Sequence, residues 1–147
     1  MSFDVGEFLL QSVPFARELG ITFDKVSKGV AICRLPDRPE LHNHVGGPHA
    51  GALFTLAESA SGAATLSLFG SELSRAVPLV TTSTVTYRKL AMGEIVAEAH
   101  LDASREEVLA ELDAGRRPEF RVTVTLTNAD GLTVSDLTVT WTLRPTA

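Results

Sequence analysis

The spacing of apolar residues changes along the chain, and the change falls near its middle. Downstream, Ile95, Ala97, Ala99 and Leu101 alternate with Val96, Glu98, His100 and Asp102, and Phe120, Val122, Val124 and Leu126 alternate with Arg121, Thr123, Thr125 and Thr127. A period of two buries one face and wets the other, so both segments predict half-buried antiparallel strands. Leu137, Val139, Trp141 and Leu143 make a third such face, and Leu132 and Val134 fall out of phase with it, which predicts a bulge across Ser135-Asp136. Val77 to Tyr87 predicts a further strand, and Asn128-Ala129-Asp130-Gly131 a hairpin loop. Ser104 to Asp113 opens like a capping box and keeps helical spacing, predicting a short surface helix between two strands.

Upstream, the first twenty residues predict one or two short helices, with Phe8, Leu9 and Leu10 near the first and Pro14 opening the second before Gly20. Ile21 to Asp24 and Val30 to Leu35 suit two short strands joined by a turn over Lys25 to Gly29. Pro36, Pro39, Gly46, Gly47 and Pro48 then punctuate a loop. The segment 48–69 follows, with Pro48 suited to its first helical turn and Gly70 to its end. It is apolar nearly all round, which predicts a helix buried on most sides. These patterns predict a single α+β domain over 1–147: a helical cap at 1–20, a central helix at 48–69 and an antiparallel sheet, with its main strands at 77–144, wrapped around that helix.

Composition narrows the partners. At 147 residues and 44% hydrophobic, the chain supports one core without disulfides or a structural metal. Its net charge is -5, and its thirteen Lys and Arg are scattered, which argues against nucleic acid or an anionic membrane as partner. The N-terminus has no positive region followed by an apolar core, so a cytoplasmic protein is expected. Ala50 to Gly70 lacks Lys and Arg but holds Glu58 and five hydroxyl side chains, which fits a buried helix better than a membrane span. The single Cys33 lies in an apolar run and predicts a small buried thiol rather than a nucleophile.

Polar and small residues crowd the start of the central helix, from Leu41-His42-Asn43-His44 to His49-Ala50-Gly51. The unpaired N–H groups of a helix start favour negative charge, so the N–H of Ala50 or Gly51 could polarise a carbonyl oxygen; an ordinary Gly-Pro helix entry would look the same. Glu58 is the one charged residue between His49 and Glu72. A carboxylate in an apolar helix either faces a cavity, as a candidate base or nucleophile, or is held structurally by threonine hydroxyls or a subunit contact. His42, His44 and His49 have neither a cysteine pair nor an acidic cluster to complete a metal site, so no metal is expected, and His42 and His44 are expected as solvated loop residues.

Asn43, then His49-Ala50-Gly51 six residues later, then an acidic residue nine positions after the histidine, resembles the Asn...His-Gly-Gly...Asp/Glu signature of hotdog-fold acyl-CoA thioesterases of the phenylacetate-degradation, PaaI-like group. Val85 to Glu94 is similar to that family's strand ending in an aromatic, a basic residue, a small residue and Gly-Asp/Glu. The resemblance covers nearly the whole chain and implies a hotdog fold and an acyl-CoA thioester as substrate, with no further cofactor. It implies that Asn43 and the Ala50 N–H hold the thioester carbonyl, that His49 shapes the loop, and that Glu58 is general base or nucleophile. Gly51 would line the substrate, and Thr81 or Thr82 would stand near the attacking water. Arg88 and Lys89 would meet the phosphates of coenzyme A, or be solvated strand-end charges. Ala50 replaces the first glycine of the pair, Leu90 stands at the usual proline, and the segment 104–118 is longer than in the family.

A non-catalytic acyl-CoA-binding protein, which the Ala50 departure favours, and a hydroxyacyl dehydratase, which the His44 to Glu58 spacing favours, are the alternatives. Nine residues separate His49 from Glu58, which on one helix is about 13 Å and roughly opposite faces. A homo-oligomer, dimer or dimer of dimers, with a site shared between two chains is therefore expected, as the family's dimers imply.

Overall fold

The computed structural model describes residues 3–146. Helices α1 (Val5–Ser12) and α2 (Pro14–Glu18) precede strands β1 (Thr22–Ser27) and β2 (Val30–Leu35). The long helix α3 (Ala50–Phe69) follows a loop, and then come β3 (Ala76–Tyr87), β4 (Ile95–Asp102), α4 (Arg105–Asp113), β5 (Glu119–Thr127) and β6 (Thr133–Pro145). The strands form one six-stranded sheet in the order β1-β2-β4-β5-β6-β3, every neighbouring pair antiparallel. The sheet wraps around α3, the hotdog arrangement.

Side-chain size explains how helix and sheet come together. Ala31 and Cys33 of β2 pair with Ala99 and Ala97 of β4, all four with no exposed surface. They form a shallow floor for Leu56, Ala57, Ala60, Ala63 and Ala64 of α3, equally buried. Small residues on both sides let the helix lie close, and close packing is what a dense core requires. Phe69 and Phe120 close the far end, their rings 5.2 Å apart and tilted by 46°. Cys33 is the inert thiol expected: Sγ donates to the Leu56 carbonyl at 3.7 Å, and burial, with a smaller effect from Asp24, pushes its pKa far above the ordinary value.

The expected boundaries shift in four places. His49 is the N-cap of α3, so the helix starts at Ala50 and Pro48 lies before it, bridged to His42. β1 runs on to Ser27, because Lys28 and Gly29 both take positive φ, 51° and 83°, and make a two-residue hairpin turn. The bulge in β6 falls at Val134 rather than across Ser135-Asp136: Leu126 pairs with Ser135 and Thr127 with Thr133. The extra residue turns Val134 and Ser135 inward together, so the phase of the apolar face changes one residue early. The 104–118 segment is more than a surface helix. Its Arg105 Nε donates to the Leu68 carbonyl at 2.9 Å, capping the end of α3, while Val108 and Leu112 are buried.

Among the described residues one helix, Ala50–Glu72, is long and apolar enough to cross a bilayer, but 67% of its apolar window is buried in the domain. It is the core helix of the fold. At the sheet edge, the twelve-residue β3 pairs, among the described residues, only with β6 and carries its own bulge at Thr81, where Val80 faces Trp141 and Thr82 faces Thr140.

Candidate active site

The loop before α3 is built by Asn43. Its N–H donates to the Gly47 carbonyl at 2.7 Å, its Oδ1 accepts from the N–H groups of Val45 and Gly47 at 3.0 and 3.2 Å, and its Nδ2 donates to the Pro48 carbonyl at 3.4 Å. The side chain therefore shapes the loop first, and one Nδ2 hydrogen is left for anything else. A Cβ on Gly47 would stand 2.2 Å from the Ala91 carbonyl oxygen, so glycine there lets this loop lie against the chain after β3.

His49 caps the helix with its Nδ1, which accepts from the Gly51 N–H at 2.8 Å. That contact removes Gly51 from the two expected carbonyl donors. The Ala50 N–H has no acceptor among the described residues, and Ala50 is exposed. Asn43 and Ala50 line an open cavity of about 370 Å³ with Tyr87, Arg88, Lys89 and Leu90. Arg88 is ion-paired with Asp136, and both the Arg88 and Lys89 N–H groups donate to the carbonyl of the bulged Val134, at 2.9 and 3.2 Å. Among the described residues no carboxylate pairs with the Lys89 ammonium.

Glu58 lies elsewhere. It lines a second, apolar cavity of about 270 Å³, walled by Leu9 of α1, Gly62 and Leu66 of α3, Pro78 of β3 and Trp141 of β6. Its side chain is half-buried, nothing among the described residues donates to its carboxylate, and burial raises its pKa above the ordinary 4.5. The expected alternative of threonine hydroxyls holding Glu58 is absent among those residues. Thr81 and Thr82 are exposed on β3, Thr81 Oγ1 donating to the Thr140 carbonyl at 3.3 Å, and Pro78 is the β3 residue beside Glu58. His42 is not the solvated residue expected. It is half-buried with Nε2 2.6 Å from Asp37 Oδ1, whereas His44 is exposed. Among the described residues no three His, Cys, Asp or Glu gather into a metal-binding group.

One chain thus brings together Asn43, Ala50, Arg88 and Lys89 and leaves Glu58 apart, about 12 Å further along the helix axis. Sequence reasoning allows a cavity at Glu58 but does not find its other lining residues Ser59, Gly62 and Trp141. A signal was present: Glu58, Gly62 and Leu66 recur at every fourth position, one stripe of α3.

Residues 5–143 match the family model described as a domain of unknown function, DUF4442. No curated protein matches. Among solved structures, PA5026 of Pseudomonas aeruginosa, a protein of unknown function called a "probable thioesterase", is 31% identical with a TM-score of 0.84, the match covering 97% of this chain and 94% of that one. The conserved protein PA5202 of the same organism is 25% identical with a TM-score of 0.71 over 88% and 92% of the two chains. PaaI of E. coli, from the phenylacetic acid degradation operon, shares the fold at 16% identity, with a TM-score of 0.74 over 96% and 90%. The chain belongs to the DUF4442 family, and its fold is that of the thioesterase-type hotdog proteins.

Proposed function

We propose that the chain hydrolyses an acyl-CoA thioester to the free acid and coenzyme A, in the cytoplasm, with each site shared between two chains of a homodimer or of a dimer of dimers. The observation that carries this is Glu58: a carboxylate without a partner among the described residues, its pKa raised, at the wall of an apolar cavity the size of an acyl group. A carboxylate whose pKa is raised is a stronger base than an ordinary one, which suits it to take a proton from water. Glu58 takes the proton as the water oxygen adds to the thioester carbon. The oxyanion is stabilised by the Ala50 N–H at the helix start and the remaining Nδ2 hydrogen of Asn43. The C–S bond then breaks, and the proton passes from Glu58 to the departing thiolate. The ~12 Å between Ala50 and Glu58 in one chain supports donors from one subunit and base from the other. The open twelve-residue edge of β3 supports pairing of two such chains, since an edge of that length is rarely left uncovered. The test is release of free thiol from a panel of acyl-CoAs, wild type against Glu58→Gln. Hydrolysis abolished in the variant with binding retained is expected; binding without turnover in the wild type would select the non-catalytic acyl-CoA-binding reading.

A further inference from the structure

Five residues of α3 carry a hydroxyl, and four of them spend it on the preceding turn. Thr55 donates to the Gly51 carbonyl at 2.9 Å, Ser61 to Glu58 at 2.7 Å, Thr65 to Ser61 at 2.9 Å and Ser67 to Ala64 at 2.7 Å. That back-bond is the usual resting place of a helical hydroxyl. Ser59 is the exception. It is 2% exposed, its Oγ has no partner among the described residues, and it lines the apolar cavity beside Glu58. An unpartnered buried hydroxyl is costly, and of the three serines whose Oγ is buried without a partner among the described residues, Ser59, Ser83 and Ser135, only Ser59 lines this cavity. Of the other polar groups of the lining, Trp141 Nε1 donates to Ser61 Oγ at 2.9 Å, Ser12 is at the exposed rim, and Glu58 is the proposed base.

We infer that Ser59 is a specificity-determining residue of the acyl pocket: its hydroxyl meets a hydroxyl or oxo oxygen borne by an otherwise apolar acyl group. The cavity sets the size. At ~30 Å³ of condensed-phase volume per water-sized group, about 270 Å³ is room for an acyl chain of medium length. A site that hydrogen-bonds a substrate oxygen rejects the analogue lacking it far better than an apolar wall rejects an extra methylene.

This inference rests on the acyl-CoA reading of the same site, and its test separates the two. Hexanoyl- and octanoyl-CoA are compared with the positional isomers of their monohydroxy and oxo derivatives on wild type and Ser59→Ala. The wild type is expected to favour one oxygenated isomer over the parent chain by about tenfold or more in kcat/KM, and in Ser59→Ala that ratio is expected to fall toward one. The corresponding free acids are run in parallel by ligand-induced thermal shift, which needs no turnover. A preference that appears in binding and disappears in Ser59→Ala upholds the pocket even where no thioester is cleaved, and then only the hydrolase reading falls. Turnover without any preference for an oxygenated acyl group overturns the inference and leaves the hydrolase standing. An equal loss on every substrate in Ser59→Ala also overturns it, because Ser59 would then serve the reacting carbonyl.

Discussion

Trp141 and Ser61, eighty residues apart in sequence, are joined by a hydrogen bond of 2.9 Å from the indole Nε1 to the serine Oγ. Ser61 Oγ in turn donates to the Glu58 carbonyl at 2.7 Å, so β6 holds the helical turn that presents Glu58. Ser61→Ala removes the acceptor and leaves a buried indole N–H unpaired, a loss of about 1–3 kcal/mol. Ser59→Ala has no such bond to lose. Urea denaturation of the two variants is expected to show a clear drop in midpoint for Ser61→Ala and little change for Ser59→Ala; equal drops would mean that the Trp141 bond contributes nothing.

Glu58 gives stability and activity opposite dependences on pH. Burial raises its folded pKa above the ordinary 4.5, so the folded chain holds a proton that the unfolded chain releases first. The stabilisation this gives is present in full below the unfolded value and is lost as pH rises through the folded one. Glu58→Gln should therefore match the wild type in Tm near pH 4 and exceed it at pH 8. In the same variant kcat/KM is expected to fall by about 10²–10⁴, the usual worth of a general base. Wild-type kcat/KM should rise with pH along a limb centred above 4.5. A variant less stable than wild type at pH 8 would point to a structural glutamate.

Gly47 holds the loop before α3 against the chain that follows β3. A methyl there would meet the Ala91 carbonyl at 2.2 Å and the Met92 sulfur at 2.8 Å, and the first of these is backbone that cannot swing aside. Gly47→Ala should cost about 1–3 kcal/mol as an overpacking change and raise KM for acyl-CoA by opening the cavity shared by Asn43 and Lys89. Unchanged Tm and KM would show that the loop shifts freely.

Lys89 is the better placed of the two basic residues for a phosphate, because Arg88 is already paired with Asp136. Lys89→Ala is expected to raise KM for acyl-CoA several-fold at low ionic strength. The effect should fade toward 1 M salt, where the screening length is ~3 Å. A larger effect from Arg88→Ala would mean that the ion pair opens to the substrate.

How much of this was legible in the sequence depends on how far apart the cooperating residues lie. The phases of β4, β5 and β6 and the burial of α3 follow from neighbours within one element, and period alone revealed them. Asn43 and Glu58 stood out as polar residues in unlikely company. The His49 cap was not visible, because whether an imidazole accepts from Gly51 depends on the backbone entering the helix, and Pro48 was equally suited to the first turn. The apolar pattern places the bulge a residue or two beyond Val134, because an inward Ser135 breaks no hydrophobic pattern. The apolar cavity joins Leu9 to Trp141, nearly the full length of the chain, and only the folded sheet brings α1 and β6 to the same stretch of α3.

The separation of Ala50 from Glu58 leads to the last prediction. One helix cannot bend its own start onto a carboxylate ~12 Å along its axis, so hydrolysis by these groups needs a second helix start near Glu58. A two-fold pair of chains supplies it twice: what one subunit's Ala50 does for its partner's Glu58, the partner's Ala50 does in return. Asn43→Ala and Glu58→Gln chains, each inactive alone, should regain activity when mixed under conditions that exchange subunits. Every mixed dimer then holds one site made of two intact halves and one made of two damaged halves. With equal amounts and random pairing about half of the dimers are mixed, and each has one working site of two, so activity should recover to about a quarter of wild type. Exchange demonstrated by mass-tagged chains with no recovery, or an active species sedimenting as a monomer, would mean that each chain completes its own site.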